Sequence, residues 1–230
     1  MGSQALIDRL FPGMEVAPDD GYNLALRFDC DSIADPTRFL DEISHLKRHI
    51  FGGPLDNALS ALQAKNSANV PLMSIEYRKN EMFFICPAPA KVVVIFLVDF
   101  ADPTDKAIAR VFLQEFAEAQ RSMRSAPPVM YSKEPPLELA GIRFNYSPEC
   151  VGCLSFALEN RHVEGERKET VITMLTSFRN YLHYHIKCSK TYLHMRMRKR
   201  GDGWMQVLNR AMPEVETEKK TMSGKSFNRK

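Results

Sequence analysis

The chain has 230 residues, 44% hydrophobic, 26% charged and 10% aromatic, a composition that builds a packed core and excludes a disordered polymer. Its longest apolar run, Val92–Val98, is seven residues, where about 20 are needed to cross a bilayer as a helix. The net charge of +3 conceals a division, because Met1–Asn160 carries 15 Lys+Arg against 21 Asp+Glu and Arg161–Lys230 carries 16 against 7. One end of the chain is built to meet an acidic surface. Met1-Gly2-Ser3-Gln4 lacks the basic-then-apolar pattern of a secretory signal. The five cysteines have no framework spacing and read as reduced thiols of a cytosolic protein.

In chain order, Gln4–Leu10 reads as a short helix and Phe11-Pro12-Gly13 as a turn. Tyr22, Leu24, Leu26 and Phe28 alternate as a half-buried strand. Asp35-Pro36 opens a helix with Asp at the N-cap and Pro at the first position, and Phe39, Leu40, Ile43, Leu46 and Ile50 form its stripe. Gly52-Gly53-Pro54 is expected to interrupt it, with a second helical stretch from Leu55 to Ala64 and a polar linker over Lys65–Asn69.

Three strands follow: Met73-Ile75-Tyr77, Met82–Cys86 and Val92–Phe100, with a hairpin turn at Lys79-Asn80-Glu81. Val92–Val98 is apolar on both faces and belongs in the centre of a sheet covered on both sides. Asp102-Pro103-Thr104-Asp105 starts a helix carrying Ile108, Val111, Phe112, Phe116 and Ala119. Val129–Tyr131 is a short extended piece between proline-rich loops, and Ile142–Phe144 with Gly152–Leu158 reads as a last pair of strands.

Glu169–Arg200 is the longest periodic segment. Val171, Leu175, Phe178, Leu182, Ile186, Ser189, Leu193 and Met197 recur every three to four residues. Such a stripe is longer than a small sheet can cover, so part of it should pack on a partner. Gly201-Asp202-Gly203 is expected to end the helix, with a further short helix over Trp204–Ala211 stopped by Pro213, and a charged tail over Glu214–Lys230. Strands followed by one long helix indicate an α+β fold with an antiparallel sheet packed by helices.

For chemistry, Cys150-x-x-Cys153 and His185-x-x-Cys188 are zinc ligands in type, but their surroundings are not knuckle-like, and packing thiols are the better reading. His183 and His185 point to opposite sides of a helix and cannot share an ion. Dinucleotide, phosphate-loop, serine-hydrolase and zincin motifs are all missing from the sequence, which argues against an enzyme. The sharp feature is basic. Lys187, Lys190, Arg196, Arg198, Lys199 and Arg200 load the end of the long helix, and Arg210, Lys219, Lys220, Lys225, Arg229 and Lys230 continue beyond it. Charge alone leaves nucleic acid, anionic lipid and an acidic protein polymer open as partners. The interleaved Tyr181, Tyr184 and Tyr192 suit either base stacking or a partner helix.

The block Phe178-Arg-Asn-Tyr-Leu-His-Tyr-His-Ile-Lys-Cys-Ser-Lys-Thr-Tyr-Leu-His-Met-Arg-Met-Arg198 resembles the signature of subunit 2 of the actin-related protein 2/3 complex, the 34 kDa Arc subunit family. Val111–Phe116, Ala126-Pro127, Glu134–Leu139, Val207–Ala211 and Gly224–Phe227 resemble the same family in the same order, and Gly21–Asn23 and Leu46–Arg48 do so more weakly. The resemblance implies a non-catalytic scaffold without cofactor or metal, located in the cytoplasm at the actin cytoskeleton. It would pair with subunit 4 into the core of the complex and contact the side of the mother filament during branched nucleation, with no nucleic-acid partner and no membrane span. It further implies two similar α/β halves, the first incomplete here. Residues 1–64 would be the remainder of the first half, 65–200 the second half, and 201–230 a short helix and basic tail. In that reading Lys187, Lys190, Arg196, Arg198, Lys199, Arg200, Arg210 and Lys225 face the filament, and Phe178, Tyr181, Leu182, His185, Ile186 and Leu193 face the partner subunit. Gln206 and Met212 stand where relatives can carry basic residues, and the Cys150/Cys153 pair is not a family feature.

Overall fold

The computed structural model describes residues 2–78, 81–120, 122–123 and 125–211. The chain divides into two compact units, Met1–Lys187 and Cys188–Lys230. The first contains helix α1 (Gly2–Leu10), a two-residue ladder of β1 (Glu15–Val16) and β2 (Ala25–Leu26), α2 (Pro36–Ser44) and α3 (Leu46–Gln63). After these come β3 (Met73–Arg78), β4 (Glu81–Ala88), β5 (Lys91–Val98), α4 (Pro103–Gln120), β6 (Val129–Ser132), β7 (Gly152–Glu159) and α5 (Asn160–Val163). Helix α6, Arg167–Ala211, begins in the first unit and ends in the second.

The five longer strands form one antiparallel sheet in the order β3-β4-β5-β7-β6. As its composition dictates, β5 is the middle strand, and every residue from Val92 to Val98 is buried. Successive side chains of a strand point to opposite faces, so β5 supplies two cores. Val92, Val94, Phe96 and Val98 meet α3, α4 and α6 on the front, and Val93, Ile95 and Leu97 face the back. The front is knit by rings. Phe96 stacks on Phe83 at 5.7 Å and meets Phe178 of α6 at 5.0 Å, while Phe178 also meets Phe156 of β7 at 5.3 Å and Phe116 of α4 at 6.1 Å.

The back is closed by a loop instead of a helix. Leu139, Cys150 and Cys153 are buried there, with Ile142, Phe144 and Tyr146 packed on them. The expected strand at Ile142–Phe144 therefore does not form; its alternating apolar residues lay side chains on the sheet without joining the ladder. The expected strand at Tyr22–Phe28 shrinks to Ala25–Leu26, with Tyr22 and Phe28 exposed. The hairpin positions Lys79 and Asn80 lie outside the described residues.

The helix starts follow their capping residues. Asp35 Oδ1 accepts the Arg38 N–H at 3.0 Å at the head of α2, and Asp102 Oδ1 accepts the N–H groups of Thr104 and Asp105 at 2.7 and 3.0 Å at the head of α4. Val111, expected on the buried stripe of α4, is exposed; Ala109 and Leu113 are fully buried, and Ile108, Phe112 and Phe116 pack on the core as expected.

Two expected helix breaks are absent. Helix α3 runs straight through Gly52-Gly53-Pro54, and the chain breaks earlier, at His45. Gly52 is used for close approach, since a Cβ there would lie 3.0 Å from Ile172 Cγ2 of α6. Leu55, Ala58, Leu59 and Leu62 of α3 share the front core with β4, β5, β7 and α6. Helix α6 likewise passes through Gly201-Asp202-Gly203, so Trp204–Ala211 is its final stretch and not a separate helix. Each glycine costs a helix only about 1 kcal/mol, and the flanking methionine, arginine and lysine residues are good helix formers. Pro213 and Glu214–Lys230 lie outside the described residues.

One glycine cannot be replaced without damage. Gly152 has φ of +142°, and a Cβ there would fall 2.5 Å from the Ser132 carbonyl oxygen of β6. Gly152→Ala is expected to destabilise the protein by about 2 kcal/mol or more, and Gly201→Ala, which meets nothing within 4 Å, to stabilise it by a few tenths to about 1 kcal/mol. Urea unfolding of the two variants against the parent checks both signs.

Candidate interaction surface

Helix α6 has two roles along its length. Val171, Ile172, Leu175, Phe178, Leu182 and Ile186 are its buried residues, and none is buried after Ile186. The stripe read as one continuous surface is thus split: its first part covers the chain's own sheet, while Leu193 and Met197 are exposed. This corrects the partner-facing assignment of Phe178, Leu182 and Ile186. At 5%, 1% and 0% exposure, they present no surface to another chain.

What α6 does present in the first unit is an aromatic ridge shared with α4. The His185 ring lies parallel to Phe112 of α4, 5.9 Å away and inclined by 13°, and meets Tyr181 at 4.2 Å and Tyr184 at 5.2 Å. Tyr181 and Tyr184 are 47% and 66% exposed, and Val111 of α4 is also open to solvent. The contribution of α4 was not legible in the sequence, because it depends on which two helices the sheet brings side by side.

On the other side of α6, charges are tied into the fold. Arg179 grips Glu81 with both arms of its guanidinium, with Nη2 2.8 Å from Oε1 and Nε bonded to Oε2. Burial raises the phenol pKa of Tyr77, and the adjacent Glu81 carboxylate raises it further. Lys106 pairs with Asp99 at 2.9 Å. Lys187 Nζ donates to Asp105, whose side chain is only 4% exposed. Arg179, Glu81, Asp99, Asp105 and Lys187 line a cleft of about 580 Å³. Lys187, expected on the filament-facing surface, is 58% exposed and bonds the buried Asp105 carboxylate at the edge of the fold. His183 stacks on Phe100 at 4.5 Å, and burial together with the Arg179 charge lowers its pKa.

The second unit, where described, is helix residues 188–211, all of them exposed or half-exposed. It carries Lys190, Arg196, Arg198, Lys199, Arg200 and Arg210 against one acid, Asp202. Arg196 lies over the Tyr192 ring, 5.5 Å from its centroid, and donates to the tyrosine hydroxyl at 3.0 Å. Tyr192, Leu193, Met195, Met197, Trp204, Met205, Val207 and Leu208 are exposed among these cations, as is Gln206. Lys219, Lys220, Lys225, Arg229, Lys230 and Met212 lie outside the described residues.

Cys150 and Cys153 are buried on the back face of the sheet. Burial raises both thiols, Cys153 to about 12, with the neighbouring Cys150 adding to the effect. They pack there as small apolar groups with protonated sulfurs. Among the described residues no group of three or more His, Cys, Asp and Glu side chains could hold a metal ion. No described helix is long and apolar enough to cross a membrane.

The described residues form an α+β unit and a basic, aromatic helical stretch open to solvent, and the family match makes the chain a non-catalytic subunit of a protein complex. Residues 1–215 match the family model described as Arp2/3 complex, 34 kD subunit p34-Arc, and the chain belongs to that family. It is 35% identical to a Schizosaccharomyces pombe protein named actin-related protein 2/3 complex subunit 2, over 98% of this chain and 78% of the relative. It is 34% identical to a Dictyostelium discoideum protein of the same name, again over 98% of this chain and 78% of the relative.

Two outcomes follow from the charges described. Lys187→Ala removes one partner of the Asp105 carboxylate and is expected to cost about 1 kcal/mol, the lysine being largely solvated, whereas Arg198→Ala should stay within about 0.5 kcal/mol; urea midpoints compare the two. The second concerns pH. His162 accepts the Glu159 N–H on Nδ1 at 3.0 Å, and burial and the Arg161 charge lower its pKa, as burial and Arg179 do for His183. Unfolded imidazoles protonate near their ordinary 6.5, so the stability from the neutral rings is complete above that pH and lost as pH falls below it. The urea midpoint should fall between about pH 7.5 and about pH 5.5, and fall less in His183→Gln.

Proposed function

We propose that this chain is a structural subunit of an actin-related protein 2/3 complex in the cytoplasmic actin cytoskeleton, pairing with subunit 4 and contacting the side of the mother filament. The observation that carries the reading is the solvent-facing stretch of α6, where cations alternate with exposed Tyr, Leu, Met and Trp side chains. A helix left to solvent would not accumulate so many large apolar groups. A helix that meets one apolar and one acidic partner would.

In this reading Tyr181, Tyr184, His185 and Leu193, with Val111 and Phe112 of α4, meet subunit 4. Phe178, Leu182 and Ile186 act indirectly, by holding α6 on the sheet. Lys190, Arg196, Arg198, Lys199, Arg200 and Arg210 face the acidic filament, with Lys225 beyond the described residues. Lys187, bonded to Asp105 and 58% exposed, stands at the start of this row.

Co-expression with subunit 4 from the same source tests the pairing. A one-to-one complex on size exclusion is expected for the parent and its loss for Tyr181→Asp/Tyr184→Asp, with the variant's far-ultraviolet spectrum unchanged. Co-elution of that variant would overturn the surface. In the reconstituted complex, reversal of Arg196, Arg198 and Lys199 to Glu should weaken filament co-sedimentation about tenfold or more while leaving assembly intact, because attraction becomes repulsion at three sites. Unchanged co-sedimentation would remove the filament assignment.

A further inference from the structure

Helix α3 is continuous through a sequence that should not support it. Pro54 has no N–H, so the carbonyl of Ile50, four residues earlier, loses its helical donor. Gly52 and Gly53 before it have no side chains to stiffen the backbone. The missing donor is replaced from outside the helix. Ser3 Oγ of α1 donates to the Ile50 carbonyl at 2.6 Å, in a half-buried contact 47 residues apart in sequence. Helix α1 packs along α3, with Ile7 and, just after its end, Phe11 buried and Leu6 and Leu10 half-buried. Two open crevices of about 200 and 240 Å³ lie between α1 and α3, one bordered by Leu6, Arg9 and Gly52 and the other by Leu6, Arg9 and Gly53.

The geometry points to α1 as a strap: seated, it keeps α3 a single rod, and lifted, it frees a hinge at Gly52-Gly53-Pro54. The hinge lies where α3 touches α6, since a Cβ on Gly52 would crowd Ile172 Cγ2 at 3.0 Å. Opening the strap therefore loosens the first turns of α6 against α3, while β5 and β7 keep their full ladders. The device depends on one pairing, the Ser3 hydroxyl with the carbonyl that Pro54 leaves open.

The test is amide hydrogen exchange by mass spectrometry on the full chain in its assembled complex, in a cycle of Ser3→Ala, Pro54→Ala and the double variant. Loss of one hydrogen bond should speed exchange across residues 50–58 about fivefold in Ser3→Ala, with the amides of β5 and β7 unchanged. Pro54→Ala restores a donor for Ile50, so in that background Ser3→Ala should change exchange less than about twofold. Equal acceleration in both backgrounds, acceleration in neither, or acceleration that spreads to β5 would each overturn the strap.

Discussion

The packing of Phe96 against Phe83, Phe156 and Phe178 is the contact on which the rest of the first unit depends. It joins the middle strand to both its neighbours and to α6, and Phe116 of α4 touches the same group through Phe156 and Phe178. Each fully buried ring of this kind contributes about 1.5–3 kcal/mol, with a further increment from edge-to-face geometry. Because the ring cluster sits where α4 and α6 meet the sheet, it also determines which faces of those helices remain outside. The Phe112–His185 stack and the exposed tyrosines are a product of that choice.

Much of this was legible in the sequence, for physical reasons. The uninterrupted apolar run of Val92–Val98 requires cover on both faces, and it is the middle strand. Asp35-Pro36 and Asp102-Pro103 are local capping signals that depend on nothing distant, and both open helices as expected. Failures came where a distant group decides the outcome. Gly52-Gly53-Pro54 is a break by local propensity, yet Ser3 and Ile172 come from other helices and make the same residues useful. Ile142–Phe144 alternates as a strand would, because a loop laid on a sheet obeys the same alternation.

The surface was legible in its composition and not in its allocation. Periodicity identifies the apolar side of α6 but cannot say whether a sheet of the same chain or another protein covers it. Phe178, Leu182 and Ile186 go to the sheet, whereas Tyr181 and His185, one residue away in each case, stand on the ridge. Charge is subject to the same limit. Lys187 reaches a buried carboxylate on α4, which nothing in its own stretch of sequence announces.

The unbroken length of α6 has a consequence for the kinetics of association. Starting a helix is its least favourable step, and in α6 the turns packed on the sheet have already taken it. Residues 188–211 extend an existing helix, so their cations and aromatic rings keep helical spacing before any partner arrives. A partner of opposite charge would therefore meet the six clustered cations without a coupled folding step, its encounter governed by diffusion and long-range attraction.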